Sequence, residues 1–138
     1  MGIGRGKPVF LYNLLDLKRE VWAGPELKSG KHTLVFDFKF DGGGFGKGGT
    51  GTLIVDGQEV EKRHIEHTVP FIFQWDETFD VGMDTGTPVA FLEYSYEVPF
   101  RFTGKLDKLT FQFEPQQLTA EEQRMMQALR QRNNRASE

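Results

Sequence analysis

A glycine-rich stretch constrains this chain more than any other feature. Seven of the eleven residues of Asp41–Gly51, DGGGFGKGGTG, are glycine. Apolar, alternating sequence precedes the stretch at His32–Phe40 and follows it at Thr52–Val55. Glycine is favoured where φ is positive or where backbones approach closely. A glycine cluster between two strand-like runs therefore predicts a wide, irregular β-connection.

The same stretch contains the pattern G-x-G-x-x-G at residues 44–49, which raises the question of a phosphate-binding loop. A dinucleotide fingerprint must open a helix, because the helix N-terminus faces the pyrophosphate. Here Thr52–Val55 and the turn Asp56-Gly57 follow, which predict a strand and a hairpin. A Walker loop needs Ser or Thr after its lysine, and Gly48 follows Lys47. The pattern therefore favours a structural loop.

The composition of the chain bounds the classes of function. Its 138 residues are enough for one domain, and the net charge of −3 with a pI near 5.7 gives no reason to expect nucleic acid or an anionic membrane as partner. No apolar run is long enough for a membrane-spanning helix, and the absence of cysteine excludes disulfides, thiolate metal sites and a cysteine nucleophile. The first residues lack the apolar region of a signal peptide. We therefore expect a cytoplasmic location by default, with a periplasmic one open if a longer parent exists.

Short runs rich in aromatic and β-branched residues predict most of the secondary structure. Many such runs, with turns between them, predict an all-β fold: an antiparallel β-sandwich or jelly roll of concanavalin-like shape with one C-terminal helix. We expect a flexible lead-in at 1–7, the β-domain at 8–115, and a helix with a frayed tail at 116–138. The predicted strands are Pro8–Leu15, Val21-Trp22, His32–Phe40, Thr50–Val55, Gln58–His67, Thr68–Trp75, Val89–Phe102 (interrupted by Pro99) and Lys108–Glu114.

The C-terminal segment carries the signals of a helix start. Thr119 and Glu122 have the spacing of a capping box, and Leu118 stands where a hydrophobic staple residue would be. The following residues favour a helix that frays after Asn133-Asn134. Its apolar stripe is narrow and consists of Met125, Met126 and Leu129.

Candidate metal ligands are few. Asp76, Asp80 and Asp84, with Glu77, lie in one irregular segment, and clustered carboxylates are typical calcium ligands. Aspartates in turns also bond nearby backbone amides, so turn capping is the alternative. His64 and His67 point to opposite faces if they lie on a strand, and His32 starts another run, so the histidines indicate no specific metal site. No cofactor is expected, with calcium as the open alternative.

Other residues are of the types that bind or hydrolyse sugars. Two carboxylates across a cleft would suit glycoside hydrolysis, and aromatic rings stack on sugars while basic groups bind sulfate. The same aromatics are favoured in strands and in the core, which is the structural alternative. The carboxylates are Asp37, Glu59, Glu66 and Glu93; the aromatics are Tyr12, Trp22, Trp75, Tyr94 and Tyr96; the basic residues are Lys47, Arg63 and Arg101.

Several long and unusual motifs carry a resemblance to a known family. They are GKPVFLYNLLDLKR, DGGGFGKGGTGTL, HTVPFIFQWDETFDVGMDTGTPV and VPFRFTGKLDKLTFQFEP, all within residues 6–115. This region resembles the C-terminal region of bacterial arylsulfatases. In that family the nucleophile is a formylglycine made in a C-x-P-x-R type motif of a separate α/β domain. This chain has no cysteine, and none of Ser29, Ser95 and Ser137 begins such a motif.

The resemblance implies a non-catalytic accessory domain that docks a sulfatase-type catalytic domain or associates with itself; a longer parent would be an arylsulfatase. The alternatives are a carbohydrate- or sulfated-glycan-binding module and, more remotely, a hydrolase with two carboxylates. No catalytic residue is expected. The predicted interaction residues are Gly44, Phe45 and Lys47 of the glycine stretch and Met125, Met126 and Leu129 of the helix.

Overall fold

The computed structural model describes residues 1–70, 79–88, 90, 92–114 and 119–136. These residues form three small antiparallel sheets and one helix, so the prediction of a mainly β fold is confirmed. The elements are β1 (Gly2–Gly4), β2 (Lys7–Leu14), β3 (Lys18–Ala23), β4 (Leu34–Phe40), β5 (Lys47–Val55), β6 (Gln58–His67), β7 (Met83–Asp84), β8 (Phe100–Arg101) and α1 (Ala120–Ala136).

The first sheet has the order β1-β2-β3. Arg5 and Gly6 close the β1–β2 hairpin with φ values of 52° and 78°. Two consecutive positive φ values give the turn the twist that a two-residue hairpin needs. Gly2–Gly4 therefore pairs with β2, which differs from the flexible lead-in predicted for residues 1–7.

The second sheet has the order β4-β5-β6 and contains the best-predicted elements. The strand predicted at Gln58–His67 is confirmed with the same bounds, and the one predicted at His32–Phe40 begins two residues later. The turn between β5 and β6 is Asp56-Gly57, with φ values of 51° and 82°. The hairpin predicted from this dipeptide is therefore confirmed.

The prediction for the glycine stretch was wrong in part. Only residues 41–46 are a connection, because Gly48, Gly49 and Gly51 lie in β5. A Cβ at Gly49 would collide with the ring of Phe38, and one at Gly51 would lie 2.6 Å from Cζ of Phe36. The strand thus uses glycine where aromatic rings of β4 lie across its surface.

The core lies between the first two sheets. Trp22 of β3 and Leu53 of β5 are completely buried, and Ile65 of β6 packs with them. Phe10 of β2 stacks on Phe36 of β4, with 3.4 Å between ring centroids and 7° between planes. Trp22 meets both rings edge-on. These aromatic contacts join the two sheets.

The described residues between 79 and 114 contain little regular structure. Among the described residues of the strand predicted at Val89–Phe102, only Phe100–Arg101 forms a strand, and no strand forms within Lys108–Glu114, so both predictions were wrong in extent. Alternation alone was insufficient, because a strand also needs a neighbour to accept its backbone hydrogen bonds. The run predicted at Thr68–Trp75 lies mostly outside the described residues.

The helix begins as predicted. Glu122 Oε2 accepts hydrogen bonds from the backbone N–H and the hydroxyl of Thr119, both at 2.7 Å, and the Glu122 N–H donates to Thr119 Oγ1 at 3.3 Å. This reciprocal arrangement is a capping box. The helix continues through Asn133-Asn134 to Ala136, beyond the predicted point of fraying. Leu118, the predicted staple residue, lies outside the described residues.

Candidate functional site

The structure brings the glycine connection next to the start of α1. A Cβ built on Gly44, which has a φ of 133°, would lie 3.2 Å from Oε1 of Glu122. Phe45 lies in the same connection and Lys47 begins β5. Two of the regions predicted to interact with partners are therefore neighbours.

The apolar stripe of the helix is only partly described. Met125 is exposed and Met126 is half-buried. Leu129 belongs to α1, but its side chain lies outside the part of the chain that the structure describes. Met125 is thus the apolar helix side chain that is open to a partner.

The calcium candidates that are described serve as hydrogen-bond acceptors within their own segment. Asp80 Oδ2 accepts from the Thr85 N–H at 2.9 Å and from its hydroxyl at 2.5 Å, and Asp84 Oδ2 accepts from the Tyr96 hydroxyl at 2.6 Å. Asp76 and Glu77 lie outside the described residues. Within 1–70, 79–88, 90, 92–114 and 119–136, no three His, Asp or Glu side chains form a group that could hold a metal ion.

Two histidines pair with aspartates at separate places in the second sheet. His32 Nδ1 lies 2.7 Å from Asp56 Oδ2, and His64 Nε2 lies 2.8 Å from Asp41 Oδ2. The hydrogen bonds from the His32 ring to Asp56 and to the Lys28 carbonyl raise the pKa of His32 above its ordinary value. These contacts hold the ends of strands in place. The two pairs lie apart, so they offer no position at which both histidines could bind one metal ion.

The proposed hydrolytic carboxylates occupy different elements. Asp37 lies on β4, and Glu59 and Glu66 lie on β6. Glu93 accepts two hydrogen bonds from Arg19, from Nε at 2.8 Å and from Nη2 at 2.7 Å. The guanidinium lowers the pKa of Glu93, so this carboxyl remains ionised and is unsuited to donate a proton as a general acid.

The Arg19–Glu93 pair borders an open cavity of about 440 Å³. The Tyr94 ring packs against the backbone of Gly4, where a Cβ would lie 2.6 Å from Cε1 of the tyrosine. Arg5 and Lys7 form no ion pair with a described residue. The cavity lining comprises Gly4, Arg5, Lys7, Val21, Ala23, Glu93 and Tyr94.

Sequence reasoning named Glu93 and Tyr94 but missed Arg5 and Lys7. The dipeptide Arg5-Gly6 between two β-runs was an available hairpin signal and would have placed both cations beside a turn. Their proximity to Tyr94 depends on a contact between distant parts of the chain, which no local pattern reveals.

The other candidate sugar-stacking aromatics are mostly structural. Trp22 is in the core, and the Tyr12 hydroxyl accepts a hydrogen bond from the Val69 N–H at 2.7 Å. Tyr96 donates to Asp84, and Trp75 lies outside the described residues. Tyr94 is therefore the described candidate that borders a cavity.

The basic residues predicted to bind sulfate differ in their contacts. Arg63 forms an ion pair with Glu61, whereas Arg101 is exposed on β8. Lys47 is exposed at the start of β5. The three cations therefore lie on different strands and do not form one binding site.

Residues 103–114 form an exposed segment, which we call the arm. Every residue in it is exposed, and none donates or accepts a backbone hydrogen bond with another described residue. Its large apolar side chains, between 47% and 85% exposed, are Leu106, Leu109, Phe111 and Phe113.

No helix among the described residues is long and apolar enough to cross a membrane. Comparisons with protein-family models, curated proteins and solved structures found no match to this chain.

Proposed function

We propose that this chain is a non-catalytic accessory domain that works by binding another protein. The observation that carries the proposal is the amount of apolar surface left open between Phe79 and Phe113. Contiguous exposed apolar surface on a soluble protein is typical of interaction sites. The large apolar side chains that are at least 40% exposed in this region are Phe79, Val81, Leu92, Phe100, Phe102, Leu106, Leu109, Phe111 and Phe113.

The proposed partner is a sulfatase-type catalytic domain, in the same chain or in a separate one. This choice rests on the resemblance of residues 6–115 to the C-terminal region of arylsulfatases. We propose that the two larger sheets are the layers of a β-sandwich, joined by Phe10, Trp22 and Phe36. The exposed apolar side chains Phe79, Val81, Leu92, Phe100 and Phe102 would then face the catalytic domain.

An activity assay with an aryl sulfate separates accessory from catalytic roles. The chain alone is expected to give no turnover, because it has no cysteine and no serine in a formylglycine motif. When added to an arylsulfatase catalytic domain without its C-terminal β-region, it is expected to raise the thermal midpoint or the activity of that domain. Turnover by the chain alone, or no effect on the catalytic domain, would contradict the proposal.

The cavity favours a second candidate function, the binding of a sulfated or otherwise acidic saccharide. Arg5 and Lys7 supply two positive charges, while Arg19 neutralises the one acidic side chain of the lining, Glu93. Tyr94 supplies an aromatic surface beside them. An anionic group on a sugar ring is the chemistry that this combination recognises best.

Calorimetric titration with a sulfated oligosaccharide tests this second candidate. We expect binding that weakens as salt is added, and that is lost when Arg5 and Lys7 are both replaced by Ala. The matched control replaces Lys28 and Lys31, two lysines outside the cavity lining, by Ala. Equal binding by the two double variants would show that the cavity is not the site.

A further inference from the structure

The arm is not a strand, and no described strand pairs with it. The rings of Phe111 and Phe113 are nearly parallel, with 6.0 Å between centroids and 8° between planes, so they project to the same side. Alternate side chains share one side in an extended backbone, and the Phe111 ring also contacts the ring of Phe79, with 5.4 Å between centroids. In the described structure, Asp107 is tied to Lys31 by an ion pair of 3.1 Å, while the backbone from 103 to 114 has no hydrogen-bond partner.

The same molecule presents an open sheet edge. β4 is one of the two outer strands of the second sheet and, among the described strands, pairs with β5 alone. Along it Leu34, Phe36, Phe38 and Phe40 alternate with Val35, Asp37 and Lys39. Unpaired edges of long apolar strands are templates for pairing with another chain. No described strand pairs with the outer edge of β4.

We propose that the arm of one molecule pairs with β4 of a second copy, and that the exchange is reciprocal in a two-fold symmetric dimer. Residues 108–114, KLTFQFE, have the same alternation as β4, LVFDFKF. The proposal deepens the interaction function argued above by naming a second copy as the occupant of one of its surfaces.

Two registers match the arm to β4 with apolar residues on one face. In the parallel register Phe111 lies beside Phe36 and Glu114 beside Lys39. In the antiparallel register Phe111 lies beside Phe38, and Lys108 lies beside Asp41. Each register pairs opposite charges at one end, and both place Gln112 next to Asp37.

A reciprocal exchange brings the buried surface close to that of a stable dimer. An aromatic side chain buries roughly 150–250 Å². The surface area buried by two arms therefore approaches the ~1,200 Å² at the lower end of stable interfaces. This area comes from Phe111, Phe113 and Leu109 of each arm and from the β4 surface that they cover. A single arm on a single edge would give about half of that area, which favours the symmetric arrangement.

Engineered cysteines test the pairing directly, because the natural chain has none. One chain carries Asp37→Cys and another carries Gln112→Cys, and the two are mixed under mild oxidation. Since paired residues on neighbouring strands have the Cα separation of a disulfide, we expect a covalent heterodimer on a non-reducing gel. Replacing the first variant with Glu59→Cys, on β6, provides a matched control and is expected to give no such product.

Sedimentation velocity with Thr110→Pro gives the second test. Proline removes a backbone donor that makes no hydrogen bond to another described residue, so the circular dichroism spectrum should be unchanged. We expect wild type to dimerise, Thr110→Pro to weaken dimerisation at least tenfold, and Leu17→Asp, at a residue 82% exposed in the β2–β3 turn, to have no effect.

Three results would overturn the strand exchange: a wild type that is monomeric at all concentrations, equal dimerisation by Thr110→Pro, or no covalent heterodimer in the cysteine experiment. A chain carrying both cysteines that closes only within itself would also overturn it, because the occupant of β4 would then be its own arm. None of these measurements uses a catalytic domain. A failure of the strand exchange can therefore be distinguished from a failure of the proposed accessory function.

Discussion

The indole N–H of Trp22 donates a hydrogen bond to the carbonyl oxygen of Gly51, with 2.9 Å between nitrogen and oxygen. The bond joins β3 to β5 and therefore connects the two larger sheets. A Cβ built on Gly51 would lie 2.8 Å from Cζ2 of Trp22 and 2.6 Å from Cζ of Phe36. Glycine at this position is thus required by packing of the core and not by a turn.

Replacing Gly51 with Ala should therefore destabilise the fold. The methyl group has to displace two core rings, and overpacking of this kind costs about 1–3 kcal/mol of unfolding free energy. Urea unfolding measures the change. Gly2→Ala is the matched control, because nothing lies within 4 Å of the added methyl group. Equal stability of the two variants would contradict this account of the core.

Arg19→Lys should weaken the attachment of residues 92–95 to the first sheet. Lysine cannot reproduce the two parallel hydrogen bonds that the guanidinium donates to Glu93. Because the Glu93 carboxylate is about one-fifth exposed, we expect a loss of about 1 kcal/mol, near the low end for hydrogen bonds to charged groups. Thermal unfolding is the measurement, with Arg63→Lys as the exposed control; a larger effect in the control would refute the prediction.

The His32–Asp56 pair should make stability depend on pH. The raised pKa of His32 adds stability that is present at low pH and is lost as the pH rises through that pKa. The lowered pKa of Asp56 adds stability that is lost as the pH falls through it. Both groups are therefore charged between about pH 4 and pH 6.5, and there the pair stabilises the fold most.

Urea unfolding of His32→Gln across this range tests the pair. The difference from wild type should be largest near pH 5 and should shrink as the pH rises from about 6.5, the ordinary pKa of histidine, through the raised pKa of His32. In an Asp56→Asn background, where asparagine keeps an oxygen for the Thr33 N–H, the pH dependence of the difference should become smaller, and the Lys28 carbonyl accounts for what remains. A difference that is constant with pH would show that His32 contributes by packing alone.

Thr119→Ala should shorten the helix at its start. The substitution removes the hydroxyl that accepts from the Glu122 N–H and donates to its carboxylate. Loss of such a cap costs about 1 kcal/mol, and we expect weaker helical circular dichroism on warming. Thr119→Ser retains the hydroxyl and serves as the control. A helical signal that is unchanged in the alanine variant would contradict the role of the cap.

Local signals predicted the local structure of this chain well. Asp56-Gly57 predicted its hairpin, and the spacing of Thr119 and Glu122 predicted the start of the helix, because in each case the interacting groups lie within a few residues. Glycine was ambiguous: it marks both turns and close packing, so the sequence could not place Gly49 and Gly51 in a strand without knowing where Phe36 and Phe38 lie.

Non-local features could not be predicted in the same way. The alternation at Lys108–Glu114 is that of a strand, but a pattern contains no information about whether a neighbouring strand exists. Likewise, the cavity joins Arg5 and Lys7 of a hairpin to Tyr94, far along the chain. Such sites depend on tertiary contacts that no sequence window spans.

The most direct measurement is the dissociation constant between this chain and an arylsulfatase catalytic domain without its own C-terminal β-region. We predict that wild type binds, and that Phe79→Asp combined with Leu92→Asp weakens binding at least tenfold, because both side chains are exposed on the proposed surface. Leu17→Asp, in the β2–β3 turn, should bind like wild type. Absence of binding by wild type, or equal binding by all three proteins, would contradict the accessory-domain account.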